Sequence, residues 1–261
     1  TLDVLGPLSR NVADARLLTQ LLAGPDVDDA ATLDLSPDCV TNLRRPVLRR
    51  RGAVAMLAPQ AWPASLTDDA LQAWHAAQGR LEQAGYTPTA WHPPASLSFA
   101  RMADDNSLVL AYEAFRYYGA LADDAAQPLW DVVRARIVAG GRISQSSYEA
   151  ALQRRQADMA TFAQAMKGVD ALLMPASDQA AQALDAQDTR HAGLGKLLRP
   201  ANFLGATSIA LPAGFDSDGM PCAVQLLAPA GGDAALLDCA AALETVLSPV
   251  VQHPDLSAWG L

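Results

Sequence analysis

Ser144-Gln145-Ser146-Ser147 brings three hydroxyls together and invites a search for a nucleophile. A serine hydroxyl is a weak nucleophile and needs a base beside it. The bases are few. His75, His92, His191 and His253 are scattered, and Lys167 and Lys196 are the lysines. Lys167 closes a helical stretch, where its charge complements the helix dipole; Lys196 lies in an irregular one. Serines just ahead of a helical pattern cap it, and that is how this cluster reads. Cys39, Cys222 and Cys239 have neither zinc-site nor redox-pair spacing. Cys222 and Cys239 sit in apolar patterns and read as small buried hydrophobes. Glu113 and Arg116 read as a local helical ion pair. Arg134 and Arg136 read as surface or core-edge residues. Nucleophile-elbow, phosphate-loop and zinc-helix motifs do not occur, and Gly193-Leu194-Gly195 lacks the third glycine of a dinucleotide loop. No metal or cofactor is implied, and these residues do not assemble a catalytic centre on their own.

The bulk numbers set bounds. The chain has 261 residues, 51% of them hydrophobic, enough for a sizeable core. A net charge of -9 argues against direct nucleic-acid contact, which needs clustered Lys and Arg. The basic group Arg44-Arg45 with Arg49-Arg50-Arg51 reads as a solvated loop. No apolar run is long enough to span a bilayer, so a soluble protein is expected. An odd cysteine count suits a reducing compartment, so a cytoplasmic location is expected.

The elements that must position any site follow from periodicity. Val12, Ala15, Leu18, Leu21 and Leu22 share one face of a helix over 11–23, stopped by Gly24-Pro25. Residues 25–50 read as a long connection. Ala53 to Pro59 is a buried strand. Thr67 caps a helix with Asp68 and Asp69 in its first turn and Leu71, Trp74 and Leu81 inward. Pro88 limits the next strand, YTPTAW, to an edge or an irregular stretch. Helices follow over 98–120 and 128–139, and Ser146 with Glu149 reads as a capping box for a helix reaching Met166. Val169 to Pro175 is a strand, and residues 176–195 are a loop or lid. Thr207–Phe215 and Met220–Pro229 flank Asp218-Gly219, a hairpin signal. Asp233 caps a last helix. Interleaved helices and strands ending in a hairpin predict an α/β fold, a mixed β-sheet flanked by helices.

Four stretches carry a resemblance. They are LDVLGPLSRNVADARLLTQLLAGPD, RARIVAGGRISQSSYEAALQRRQ, VDALLMPAS and PANFLGATSIALPAGFDSDGMPCAVQLLAP. In this order they resemble the later half of amidase signature enzymes, across nearly all 261 residues. The resemblance implies that residues 1–261 are the C-terminal portion of one amidase-signature domain lacking its N-terminal catalytic half. It implies hydrolysis of a carboxamide or related C–N bond by a Ser–cis-Ser–Lys triad, with backbone N–H groups stabilising the oxyanion. The triad would precede this chain, so no catalytic residue is carried over and the chain alone is expected to be inactive.

The resemblance further implies that this portion lines a substrate cleft, through Pro175, Ala176 and Ser177 after one strand and through Asn202 and Thr207 before another. Arg136 would hold a substrate carboxylate. In glutamine-using relatives an Asp binds the substrate's amino group, and Gly195 stands at that position. The expected partners are a small-molecule amide and the missing N-terminal half, with a homodimer left open. Two other readings stand: a non-catalytic scaffold of the same fold, and an amidotransferase A-like subunit.

Overall fold

The computed structural model describes residues 1–33, 36–46, 48, 51–181, 195–247 and 257. The expected lid over 176–195 lies mostly outside them.

The sheet forms where apolar runs are bounded by turn residues. β1 (Val54–Leu57), β2 (Thr89–Trp91), β3 (Ala171–Pro175), β4 (Thr207–Phe215) and β5 (Pro221–Ala228) lie in the order β2-β1-β3-β5-β4. β1 pairs parallel with β2 and β3, and β5 runs antiparallel between β3 and β4. The sheet is therefore mixed, and β2 lies at an edge, as Pro88 predicts. Asp216 closes the β4–β5 hairpin by accepting from the backbone N–H groups of Asp218 (3.0 Å) and Met220 (2.7 Å). Gly219 supplies the left-handed step, at φ +77°.

Alternation sorts side chains onto two faces. Leu173, Val224, Leu226 and Leu211 join one core, with α1 (Val12–Leu22), α3 (Pro37–Leu43), α4 (Asp68–Gln83) and α9 (Asp233–Leu247). Leu172, Met174 and Leu227 join the other, with α5 (Phe99–Asp123), α7 (Gln145–Ala165) and α8 (Arg199–Phe203). α6 (Asp131–Gly140) packs on α5. Its approach is so close that a Cβ on Gly140 would stand 2.0 Å from the Ala111 carbonyl oxygen.

Several local expectations change. α1 turns Val12, Ala15 and Arg16 inward and leaves Leu18, Leu21 and Leu22 exposed. The reason is Arg16. Its guanidinium donates to the carbonyls of Asn42, Leu43, Arg45 and Ala234 and pairs with Asp238, so a charge takes the place of a leucine at the core. The connection over 25–50 contains α2 (Ala30–Leu33) as well as α3. Ser144, not Ser146, caps α7, accepting from the Ser147 N–H at 3.1 Å. Asp233 lies inside the first turn of α9, where Thr207 donates to it (3.1 Å). Glu113 accepts from Thr1 and Tyr148, while Arg116 lies 5.9 Å from the Tyr112 ring centre.

Candidate functional site

Pro175 ends β3, and its carbonyl accepts from the buried Gln225 side chain at 3.1 Å. The same Gln225 amide donates to the Leu197 carbonyl at 2.8 Å. One side chain in the sheet thus fixes both the strand end and the turn before α8. Ala176 continues the pairing, its N–H donating to the Ala223 carbonyl at 3.1 Å. Ser177 then folds the chain back, its hydroxyl donating to the Gln179 carbonyl at 2.7 Å. Pro175 and Ser177 open onto a cavity of about 290 Å³, whose walls include Ala73, Trp74, Ala213 and Cys222. Its lining is mainly apolar, so it suits an uncharged group. Burial, with Asp216 and Asp69 nearby, pushes the Cys222 thiol up. That is the reverse of what an attacking thiolate needs.

Asn202 lies on the other side of the sheet, on α8. It accepts from Asn106 (2.7 Å) and donates to the Leu2 carbonyl (2.8 Å). It therefore ties α5, α8 and the first residues of the chain together. Exposed Arg136 on α6 stands near Arg199 of α8. Burial first, then the Arg136 charge, lowers the Arg199 pKa, and Asp104 opposes them. Arg199 was missed in the sequence. A lone arginine before a proline gives no period or spacing to mark it, and only the approach of the Arg136 charge does so.

The register separates Thr207 from Pro175. Pro175 pairs with Val224, which pairs with Leu211; Thr207 pairs with Ala228. Thr207 thus lies four residues down β4 from the Pro175 row, about 13 Å along the strand. The six expected lining residues fall into three places: Pro175, Ala176 and Ser177 at one strand end, Asn202 and Arg136 on the α8 side, and Thr207 at the opposite end.

The serine cluster holds to itself. Ser144 lies 3.0 Å from the Ser146 hydroxyl and 2.8 Å from that of Ser147, at the exposed start of α7. Among the described residues no group of three His, Cys, Asp or Glu could hold a metal ion, and no helix is long and apolar enough to cross a membrane.

Comparison with known proteins places this geometry. The glutamyl-tRNA(Gln) amidotransferase A-subunit of Synechococcus sp. (strain RCC307) is 27% identical over 98% of this chain and 57% of its own length. That of Prochlorococcus marinus (strain MIT 9303) is 30% identical over the same shares. A crystal structure of an amidase superposes with a TM-score of 0.75 at 23% identity, covering 93% of this chain and 52% of that one. The 6-aminohexanoate cyclic dimer hydrolase superposes at 0.70 with 20% identity, over 95% and 56%. These likenesses show the amidase-signature fold, and the chain spans little more than half the length of the relatives it matches. The amidase family model matches residues 1–237, and the chain belongs to that family.

Proposed function

We propose that the chain is the supporting and lining part of an amidase-type hydrolase. The Ser–Ser–Lys triad would stand in polypeptide outside these residues. The observation that carries the reading is the family match over residues 1–237 in a chain spanning 57% of a relative's length. The local chemistry agrees. The Ser144 and Ser177 hydroxyls serve a helix cap and a turn, and the Cys222 thiol is held protonated. The substrate would be a small amide, with an uncharged group in the cavity beside Pro175. Cys39, Cys222 and Cys239 are thiols rather than disulfides, which fits a reducing compartment such as the cytoplasm.

The test is release of ammonia or amine from a panel of small amides. The protein carrying the whole amidase-length polypeptide should be active and the 261-residue chain should not. Equal activity in the two would sink the reading. A folded full-length protein with no activity would favour the scaffold.

A second reading is an amidotransferase A-like subunit, favoured by the names of the matching relatives. Gly195 weighs against glutamine. The position a Cβ would take there lies 4.0 Å from the Arg199 Nε, so an acid at 195 would meet Arg199. Co-purification with a second subunit, and glutamine-dependent ammonia release, would decide for it.

A further inference from the structure

The cavity beside Pro175 is built from small side chains on a fixed frame. α4 gives it Ala70, Ala73 and Trp74, and β4 and β5 give it Ala213, Cys222 and Val224. The frame is tied on each side. Trp74 is 3% exposed and meets Trp62 edge to face, with ring centres 5.7 Å apart. The Thr67 N–H, just ahead of α4, donates to the Asp178 carbonyl at 2.9 Å. Gln225 holds the Pro175 carbonyl from within the sheet. A frame pinned in this way has little freedom to collapse onto the space that the alanines leave.

Size and charge narrow what the cavity takes. An apolar cavity of about 150 Å³ takes benzene. A cavity of about 290 Å³ therefore has room for one ring with a short substituent. The Trp74 indole gives it an aromatic wall, and paired rings gain more than the area they bury. Two acids stand near its Cys222 side. Asp216 and Asp69 both act on the Cys222 thiol, after burial. Both carboxylates are held in place, Asp216 by the N–H groups of Asp218 and Met220, and Asp69 by the Ser217 hydroxyl at 3.3 Å. A negatively charged group would meet these fixed acids, and like charges brought together penalise the wrong ligand.

We propose that this cavity is a subsite for an uncharged aryl group, so that the substrate is an aryl-bearing amide. The proposal rests on the hydrolase reading above and names the substrate class within it. Ala70, Ala73 and Ala213 are the specificity-determining residues, because their short side chains make the room. Trp74 supplies the ring contact. Asp69 and Asp216 exclude an aryl group that carries its own carboxylate.

The experiment uses Cys222 as its reporter, in the protein carrying the whole amidase-length polypeptide. N-ethylmaleimide alkylates the thiol, and peptide masses separate Cys222 from Cys39 and Cys239. Saturating acetanilide should slow alkylation of Cys222 at least about fivefold and leave Cys39 unchanged. N-propylacetamide, which lacks the ring, and 4-acetamidobenzoate, which adds a carboxylate, should not protect. Ala70→Leu and Ala73→Leu fill the space from α4 and are made separately, so that either folded variant serves. Each should keep its far-ultraviolet spectrum and lose the protection by acetanilide. Saturation-transfer NMR on the acetanilide ring protons repeats the comparison without the thiol. Equal protection by either comparison compound overturns the uncharged aryl assignment. Neither protection nor saturation transfer in the wild type overturns the subsite itself. Protection in a protein that releases amine from no amide removes the hydrolase reading and leaves the binding site standing. A protein that hydrolyses aliphatic amides as well as acetanilide, without protection, does the reverse.

Discussion

Arg154 grips Asp105 through two parallel hydrogen bonds, Nε to Oδ2 at 2.9 Å and Nη2 to Oδ1 at 2.7 Å. Arg101 joins them, reaching Asp105 at 3.2 Å and Asp158 at 2.8 Å. Both carboxylates are buried, so α5 and α7 meet through charge as well as through apolar contact. Asp105→Ala would leave two guanidinium groups facing an emptied pocket. Arg154 is 42% exposed, which softens the loss. The expected cost is about 2–3 kcal/mol, below the usual range for breaking a buried pair. Urea denaturation of the two proteins measures it, and a change below about 0.5 kcal/mol would refute a stabilising role.

Two helical glycines should respond in opposite directions. Gly140→Ala drives a methyl group into the Ala111 carbonyl and forces α6 off α5. A loss of about 3 kcal/mol is expected, as for an overpacked core. Gly79 in α4 has nothing within 4 Å of its Cβ position. Gly79→Ala should raise stability by about 0.5–1 kcal/mol through helix propensity. Thermal melts of both variants check the pair of signs.

Gln225 is 1% exposed, and its amide group is the donor to two carbonyls. Gln225→Leu keeps the bulk and removes the donor. Two buried acceptors then lose a partner, at about 1–3 kcal/mol in all. The turn before α8 should loosen with it. Faster hydrogen exchange at the Leu198 N–H, which donates to the Gly195 carbonyl at 3.1 Å, is the local readout. Unchanged exchange there would show that Gln225 does not hold the turn.

Glu113 predicts a pH dependence. Burial pushes its carboxyl up, but hydrogen bonds from Thr1 and the Tyr148 hydroxyl outweigh burial and hold it below the ordinary value. A carboxyl lowered on folding adds stability above its unfolded pKa, near ~4.3, and that stability is lost as pH falls through the lower folded value. The wild-type chain should therefore lose more stability between about pH 6 and about pH 3 than Glu113→Gln does. Urea midpoints at the two pH values give the comparison, and equal losses would remove Glu113 from the account.

Much of the fold is legible from pattern alone. The strands announce themselves as apolar runs between Gly and Pro, and Asp218-Gly219 marks the hairpin. Thr67 caps α4 as expected, accepting from the Ala70 N–H at 3.4 Å. What pattern cannot show is where a polar group replaces an apolar one. Arg16 is buried at 3% because four carbonyls and Asp238 gather around it from distant segments. The leucines of α1 then face outward, against their own periodicity. The candidate site was legible only as separate pieces. Pro175 and Thr207 both lie at strand ends, and only the register shows them to be opposite ends.

The contacts of α1 also set an order of events. Val12 donates to Glu244 across 232 positions, and Arg16 meets Asp238 across 222. α1 therefore cannot reach its place until α9 has been synthesised. Contacts so distant in sequence carry a loop-closure entropy that slows folding. While the ribosome is still making the middle of the chain, Val12 and the Arg16 guanidinium must wait without the partners that bury them. That interval is when a nascent chain is most prone to aggregate and most in need of a chaperone.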